Sequence, residues 1–312
     1  MAKANKDKIE QKLESRDFYK KLKLAQNFEK YSGGGLKRKL QRILYASKIY
    51  LPYLLVVKAG IGKKGTSKTK LFWGRKIEIP LTDFDSLALR TYGFAGGTEA
   101  ELKLTKFFIK NLKQEDVFYD IGANYGFFTY LAEELCQEVH SFEPIPSLSE
   151  IIKNNSRNNT RVNNLAISNQ KGVTKLFMSE STGLSTINES ATKIHTYSYD
   201  QAKEIEVKTD SLDAYCEKFN KPTILKIDVE GAEGEVVDGA TFFLQNHAPV
   251  IAMEIWGEGN GGDISKVAVA RLRKLGFESY QIEPTGNIQK VEGDITRLIP
   301  AMGGDNFIFK KN

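Results

Sequence analysis

Residues Val117–Phe128, VFYDIGANYGFF, constrain the fold more than any other stretch of the chain. Val117, Phe118 and Tyr119 are β-branched or aromatic and follow the polar run Lys113–Asp116, whereas Phe127–Cys136 repeats apolar residues at helical spacing. A strand therefore runs into a tight turn and then a helix. Gly122 and Gly126 let the backbone turn and approach a ligand with no Cβ in the way. The unpaired N–H groups at the helix start face that ligand. The turn is the place for a cofactor.

Elimination narrows the cofactor. A dinucleotide fingerprint G-x-G-x-x-G starting at Gly122 would need glycines where the chain has Asn124 and Phe127, and a bulky ring there opposes close helix–strand packing. No G-x-x-x-x-G-K-[ST] sequence is present to cradle the phosphates of ATP or GTP. A nucleoside cofactor without phosphates fits better. The next strand-like run, Glu138–Phe142, ends in Glu143-Pro144. Its acid falls at roughly the twenty-residue offset at which a carboxylate meets ribose hydroxyls in such folds.

Four segments in order, DIGANYGFF, HSFEPIPS, LKIDVEGAEGEVVDGA and PVIAMEI, resemble the FkbM family of S-adenosylmethionine-dependent methyltransferases. The resemblance runs from about Leu71 to Asn312. It implies an α/β, Rossmann-like class I methyltransferase fold, with a mostly parallel seven-stranded sheet whose last strand is antiparallel. It also implies S-adenosyl-L-methionine as cofactor, held by Asp120, Gly122, Ala123, Asn124, Gly126 and Glu143, with the end of a third strand, Ala166-Ile167-Ser168, beside the adenine. An acid near the start of the helix Glu99–Leu112 often lies close to the cofactor in this family, and the sequence leaves Glu99 and Glu101 equally open.

The run Ile224–Glu233 is a second chemical centre: a strand ending at Asp228, with Gly231 turning the chain into a helix from Glu233 to Leu244. Glu254 ends the next strand, Pro249–Met253. Ligands of doubly wound sheets bind beyond the carboxyl ends of the strands. Asp120, Glu143, Asp228 and Glu254 therefore converge on one rim. Asp228, Glu230 and Glu254 are the candidate catalytic residues, with Asp228 or Glu230 as general base and Glu254 orienting a hydroxyl. Glu230 and Glu233 also sit where a helix N-terminus favours negative charge, which gives each a capping alternative. No His joins these acids and their spacing matches no metal motif, so no metal is assigned. The polar stretch Glu180–Ile194 is either a plain surface loop or one that shapes the acceptor site.

The chain has 312 residues, 41% of them hydrophobic, enough for a class I core behind an N-terminal extension. Residues 1–70 are expected to form a basic helical extension and linker, including a helix over Glu10–Phe28, and residues 71–312 the methyltransferase domain. Residues 1–80 carry 21 Lys and Arg against 6 Asp and Glu, leaving 24 against 33 in the rest. A basic arm precedes an acidic body. Residues 36–57, LKRKLQRILYASKIYLPYLLVV, begin basic and end apolar. The uncharged part, Ile49–Val57, is far shorter than the ~20 residues that a spanning helix needs. The segment is read either as an ordinary amphipathic helix packed on the chain's own core or a partner, or as peripheral membrane contact. Cys136 and Cys216 read as reduced core thiols, and Met1–Tyr31 lacks an apolar signal core, so the expectation is cytoplasmic, at most peripheral at the inner membrane face.

By resemblance the expected reaction is O-methylation by in-line transfer, with a small-molecule or glycan acceptor, lipid-linked in one version. Oligomeric state is open. Two other readings are carried beside it: a non-catalytic interaction or regulatory module on the same fold, and a nucleic-acid methyltransferase using the basic arm. The acidic balance of residues 81–312 and the lack of an N/D-P-P-Y-type motif weigh against nucleic acid.

Overall fold

The computed structural model describes residues 2–30, 36–37, 40–41, 43–44, 51, 54–55, 66–80, 84–95, 98–179, 184–192, 203–258, 261–300 and 303–312. The chain divides into two compact units, Met1–Leu102 and Lys103–Asn312.

In the first unit the helices Ala2–Leu13 and Arg16–Lys30 replace the single helix expected over Glu10–Phe28. Ser15 is the reason: its hydroxyl accepts the Phe18 N–H at 3.2 Å and starts the second helix. Ile9, Leu13, Phe18 and Leu22 form a buried stripe, and the Phe18 ring lies 5.1 Å from that of Phe72 and 5.4 Å from that of Phe94. Strands β1 (Thr66–Lys70) and β2 (Lys76–Pro80) form an antiparallel hairpin, so the last five residues of the expected extension and linker, residues 1–70, are strand. The helix Phe84–Tyr92 follows, and Thr98 opens the helix Glu99–Asn111 with a capping box. Its hydroxyl accepts the Glu101 N–H, while the Glu101 carboxylate accepts the Thr98 N–H and hydroxyl. Most of the expected helix 36–57 lies outside the described residues.

The second unit is built on β3 (Val117–Ile121), β4 (Glu138–Phe142), β5 (Thr160–Asn163), β6 (Ala166–Ile167), β7 (Gly172–Met178), β8 (Lys203–Asp210), β9 (Ile224–Ile227), β10 (Val250–Trp256), β11 (Glu278–Ile282), β12 (Ile288–Val291) and β13 (Gly304–Lys310). The main sheet has the order β12-β11-β13-β10-β9-β3-β4-β5. Its five strands from β10 to β5 pair in parallel, while β13 runs antiparallel to both β10 and β11. The mostly parallel sheet and its antiparallel last strand are as expected. The sheet has eight strands rather than seven because the short, largely polar β12 adds an antiparallel edge to β11. β3 and β9 are buried along their whole length, as central parallel strands covered on both faces must be.

Two expected elements differ. The third strand ends at Asn163 instead of reaching Ala166-Ile167-Ser168, and Ala166–Ile167 joins a separate sheet of order β6-β8-β7. Asn164 marks the exit: its side-chain amide donates to the carbonyls of Glu143 and Pro144. The helix expected from Glu233 to Leu244 is two, Glu233–Asp238 and Thr241–Asn246. Between them Gly239 passes so close to Ser168 that a Cβ would lie 2.0 Å from its carbonyl oxygen. Cys136 and Cys216 are buried free thiols whose pKa burial raises. Among the described residues no helix is long and apolar enough to cross a membrane.

Candidate functional site

The carboxyl ends of β3, β4, β9 and β10 place the candidate residues around one rim, in the order that the sheet dictates. At the end of β3 the chain leaves through Gly122 with φ +80°, and a Cβ there would sit 1.8 Å from the Asp228 carbonyl oxygen. Only glycine lets the β3 turn lie against the β9 turn this closely. The N–H groups of Gly122 and Ala123 both donate to Phe142 O, and Asn124 takes up a left-handed φ of 50°. Gly126 closes the turn, donating to Ala123 O at 2.7 Å.

Glu143, at the end of β4, is buried. One carboxylate oxygen accepts the Asn124 N–H at 2.8 Å and the other accepts the Ile145 N–H at 2.9 Å. Burial pushes its pKa up to about 7, although the two N–H groups pull it down. An ionised carboxylate has about four acceptor sites, so two remain for the cis-diol of a ribose. The glycine-bearing turn and this acid together match an adenosine that carries no phosphate.

Asp120 is placed differently from Glu143. It is 0% exposed, with one oxygen accepting the Thr129 hydroxyl at 2.7 Å and the other 3.4 Å from Lys226 Nζ. Burial raises its pKa in spite of the lysine and the hydroxyl. Lys226 carries no functional expectation from the sequence, yet it ties the rim together. Its ammonium lies 3.1 Å from Asp228, donates to Gly122 O at 3.1 Å, and stands 5.5 Å over the Phe128 ring. Burial acts to lower its pKa, but Asp228 and Asp120 more than reverse this, and it is raised. The contact follows from register: Lys226 pairs with Asp120 across β9 and β3, and Asp228 lies two residues on, at the strand period. A lysine inside the apolar run Ile224–Ile227 is the signal that could have found it, since a buried charge needs partners.

Asp228, Glu230 and Glu254 come together. Each offers a carboxylate oxygen within 4.8 Å of the others, a spacing that a divalent cation can bridge; the ammonium of Lys226 already supplies positive charge beside Asp228. Glu230 has a left-handed φ of 54°. Glu233 is a cap: its buried carboxylate accepts the N–H groups of Val229 and Gly231, and burial pushes its pKa up to about 7. Glu254 accepts the Trp256 indole N–H at 3.3 Å. Its pKa stands well above the usual value through burial, then through the charges of Asp228 and Glu233. Gly304, which pairs with Trp256 from β13, leaves it room, since a Cβ there would lie 2.7 Å from Glu254 Oε1.

The described part of the polar stretch Glu180–Ile194, residues 184–192, packs against the β9 turn beside this cluster. Asn188 donates to Gly231 O at 2.5 Å, and a Cβ on Gly231 would meet Ala191 and the Trp256 ring at 2.9–3.2 Å. Ala166 is buried in β6, away from the main-sheet pairing, and its neighbour Ser168 donates to Glu235 at 2.7 Å.

Among solved structures, the chain is similar to a methyltransferase FkbM of Methylobacillus flagellatus KT, with 12% identity and a TM-score of 0.39 over 64% of this chain and 44% of that one. It is also similar to a precorrin-6y C5,15-methyltransferase of Geobacter metallireducens GS-15, at 12% identity and TM-score 0.37, covering 68% and 89% of the two chains. A tRNA m1G37 methyltransferase of M. jannaschii gives 14% identity and TM-score 0.36 over 80% and 57%. No curated protein matches in sequence. The chain thus spans less than half the length of the Methylobacillus protein. The family model described as the methyltransferase FkbM domain matches residues 120–281, just over half of the 312. That match begins at Asp120 and takes in the β3 turn, Glu143, Lys226, Asp228 and Glu254 on its way to β11. The chain therefore belongs to the methyltransferase FkbM domain family and has its Rossmann-like α/β fold.

Proposed function

We propose that the chain transfers the methyl group of S-adenosylmethionine to a hydroxyl oxygen of a sugar or glycan precursor. The observation that carries this reading is the trio Asp228, Glu230 and Glu254, whose carboxylate oxygens lie within 4.8 Å of one another where the β9 turn touches the cofactor turn at Gly122. A hydroxyl, unlike an amine, must shed a proton as its oxygen forms the bond to carbon, and a cluster of acids is suited to receive it. S-adenosylmethionine supplies an already activated methyl on a sulfonium. The protein's part is to hold acceptor and methyl in line, where proximity alone is worth ~7–11 kcal/mol. Glu143 takes the ribose hydroxyls, Gly122 to Gly126 shape the adenosine-side turn, Ala123 and Asn124 lend it backbone, and Ala166 belongs to the adenine side. Asp120, wholly internal, holds the turn through Lys226 rather than touching the ligand. Among the acids, Glu254 has its pKa raised well above the ordinary carboxylate value by burial and by the charges of Asp228 and Glu233, which makes it a stronger base than an ordinary carboxylate once ionised, and Asp228 and Glu230 orient the hydroxyl or share the proton.

The test uses S-adenosyl-L-methionine labelled in the methyl group, the full chain, and a panel of free sugars, nucleotide sugars, polyprenyl-linked glycans, RNA and DNA. Label recovered as an alkali-stable ether on a sugar, lost in Glu254→Gln with cofactor binding retained, is the expected result. Label on nucleic acid, or cofactor binding with no transfer to any hydroxyl compound, overturns the proposal.

A further inference from the structure

We infer that Asn306 orients the acceptor beside Glu254, so that the two side chains grip neighbouring hydroxyls of one polyol and the methyl goes to one of them. The inference rests on the hydroxyl-transfer reading above and names the acceptor chemistry that the same site selects. Asn306, on β13, is only 7% exposed. Its backbone N–H donates to Asp305 Oδ1 at 2.9 Å, but its side-chain amide makes no hydrogen bond to any of the described residues. Less buried asparagines of the same unit use both ends of theirs. Asn163 donates to Ser141 O and accepts the Tyr215 hydroxyl, and Asn188 donates to Gly231 O and accepts the Ser190 N–H. A buried amide without a partner weakens the fold, so its presence at the rim points to a ligand.

Register puts the amide in the site. Asn306 pairs with Glu254 across β13 and β10, and directly opposite residues of an antiparallel pair share a face, with Cβ atoms about 4.5–5.5 Å apart. One step past the pairs Met253–Ile227 and Ile121–Ile227, the same row continues through Asp228 and Gly122. One step past Ile121–Phe142 it reaches Glu143. The row thus has the ribose acid at one end and Asn306 at the other, with the acids between. Glu254 leans toward the Asn306 end, because its Oε1 lies against Gly304, two residues from Asn306 on the same strand. An amide both donates and accepts, as a hydroxyl does, whereas an ionised carboxylate only accepts. Side by side they suit two hydroxyls of a neutral polyol better than an anion, which Asp228, Glu230 and Glu254 would repel. In the transfer, one acceptor oxygen gives its proton to the acids as it takes the methyl, and the sulfonium leaves as a neutral thioether. Asn306 takes no proton and holds the second hydroxyl. It also lies outside residues 120–281, so family membership does not dictate this end of the site.

The experiment compares the full chain with Asn306→Leu and Asn306→Ala, each certified by calorimetric binding of S-adenosylhomocysteine. Methyl-labelled S-adenosyl-L-methionine is offered with methyl glycosides and nucleotide sugars, and then with the deoxy analogue of each accepted sugar that lacks the hydroxyl next to the methylated one. The intact chain is expected to prefer the full sugar over its deoxy analogue by about 100-fold or more in kcat/KM, because the analogue leaves the buried amide unpaired. In Asn306→Leu that preference should shrink to about tenfold or less, through loss of the full sugar rather than gain of the analogue. The same variant should unfold about 2 °C or more above the intact chain, since it removes a buried polar group that nothing in the protein satisfies. An unchanged preference in both variants, a preferred acceptor with a lone hydroxyl, or a fall in the unfolding midpoint of about 5 °C or more in both variants would each overturn the inference, the last by showing that the amide serves the fold. Absence of transfer from the intact chain to any sugar would instead count against the hydroxyl-transfer reading, and this inference would fall with it.

Discussion

Lys226→Met tests whether the buried ammonium holds the rim together. The ammonium lies 3.4 Å from Asp120 and 3.1 Å from Asp228, and it donates to Gly122 O. At an effective dielectric of about 20, a pair of unit charges 3.4 Å apart attracts by ~5 kcal/mol before desolvation is counted. Asp228 is about one-third exposed, so its share is screened. Asp120 is fully buried and has only the Thr129 hydroxyl left. Removing one partner of such a pair costs about 3–5 kcal/mol, much of it for the carboxylate left behind. That is a large part of the ~5–15 kcal/mol that holds an ordinary domain together. The assay is urea unfolding at several pH values, with Asp120→Asn and the double variant completing a cycle. In Lys226→Met the unpaired Asp120 carboxyl rises further in pKa, so the folded state binds a proton that the unfolded chain releases at lower pH. Stability from that proton is present below the ordinary carboxylate range and is lost as pH rises through the folded value. The gap between wild type and Lys226→Met should therefore narrow on acidification, and Asp120→Asn should recover at least about 1.5 kcal/mol of it. Lys226→Arg should recover part of the loss as well. A gap that is independent of pH, with additive single variants, would refute the argument and reduce Lys226 to packing.

Glu143 should make S-adenosylhomocysteine affinity rise with pH until just above 7 and then level, because ribose hydroxyls donate to the ionised carboxylate and drive off the proton that burial holds there. Calorimetry in buffers of different ionisation heat should show proton release near pH 6.5, and Glu143→Gln should abolish it with a loss of about 1.5–3 kcal/mol in affinity; proton uptake would contradict the assignment. Glu233, whose folded pKa is also about 7, stabilises most below the ordinary carboxylate value and loses that contribution as pH rises through 7, so the urea midpoint of Glu233→Gln should vary less between pH 5 and 8 than that of wild type. Gly122→Ala should lose roughly 3 kcal/mol or more in thermal unfolding and lose cofactor binding, since its Cβ would strike the Asp228 backbone at 1.8 Å and its φ is +80°; a stable variant with intact binding would show that the two turns are not locked together.

The strand, turn and helix at Val117–Ala132 were legible because apolar period, glycine position and the acid at the strand end agree locally. Glu143 and Asp228 were legible for the same reason: each ends an apolar run at a fixed topological place. What local pattern could not supply was decided across the chain. Ala166–Ile167 belongs with β8, more than thirty residues on, and nothing near Asn163 states that pairing. The break at Gly239 depends on the Ser168 carbonyl passing within reach, a contact between distant loops. β12 is four residues with two exposed, an edge that polar composition disguises. Lys226 is the instructive omission. Its partners are visible in sequence only when β9 is set in register against β3, yet a cation inside Ile-Leu-Lys-Ile is by itself evidence that a carboxylate waits nearby.

The balance of charge on the rim bears on the proposed reaction from both sides. The sulfonium is a cation that becomes neutral as its methyl leaves, so each uncompensated carboxylate beside it stabilises the reactant more than the transition state. Lys226 offsets part of that by answering Asp120 and Asp228 with one buried positive charge. Glu254 offsets more, because burial and the charges of Asp228 and Glu233 keep it protonated further up the pH scale than an ordinary carboxyl. Those same neighbours make it a stronger base once it ionises, which is when a hydroxyl at the acceptor position needs one. Crowding acids into one corner and offsetting part of their charge with a single lysine thus serves cofactor binding and proton removal together. An amine acceptor that arrives neutral and carries its own lone pair would need neither a raised Glu254 nor the trio around it.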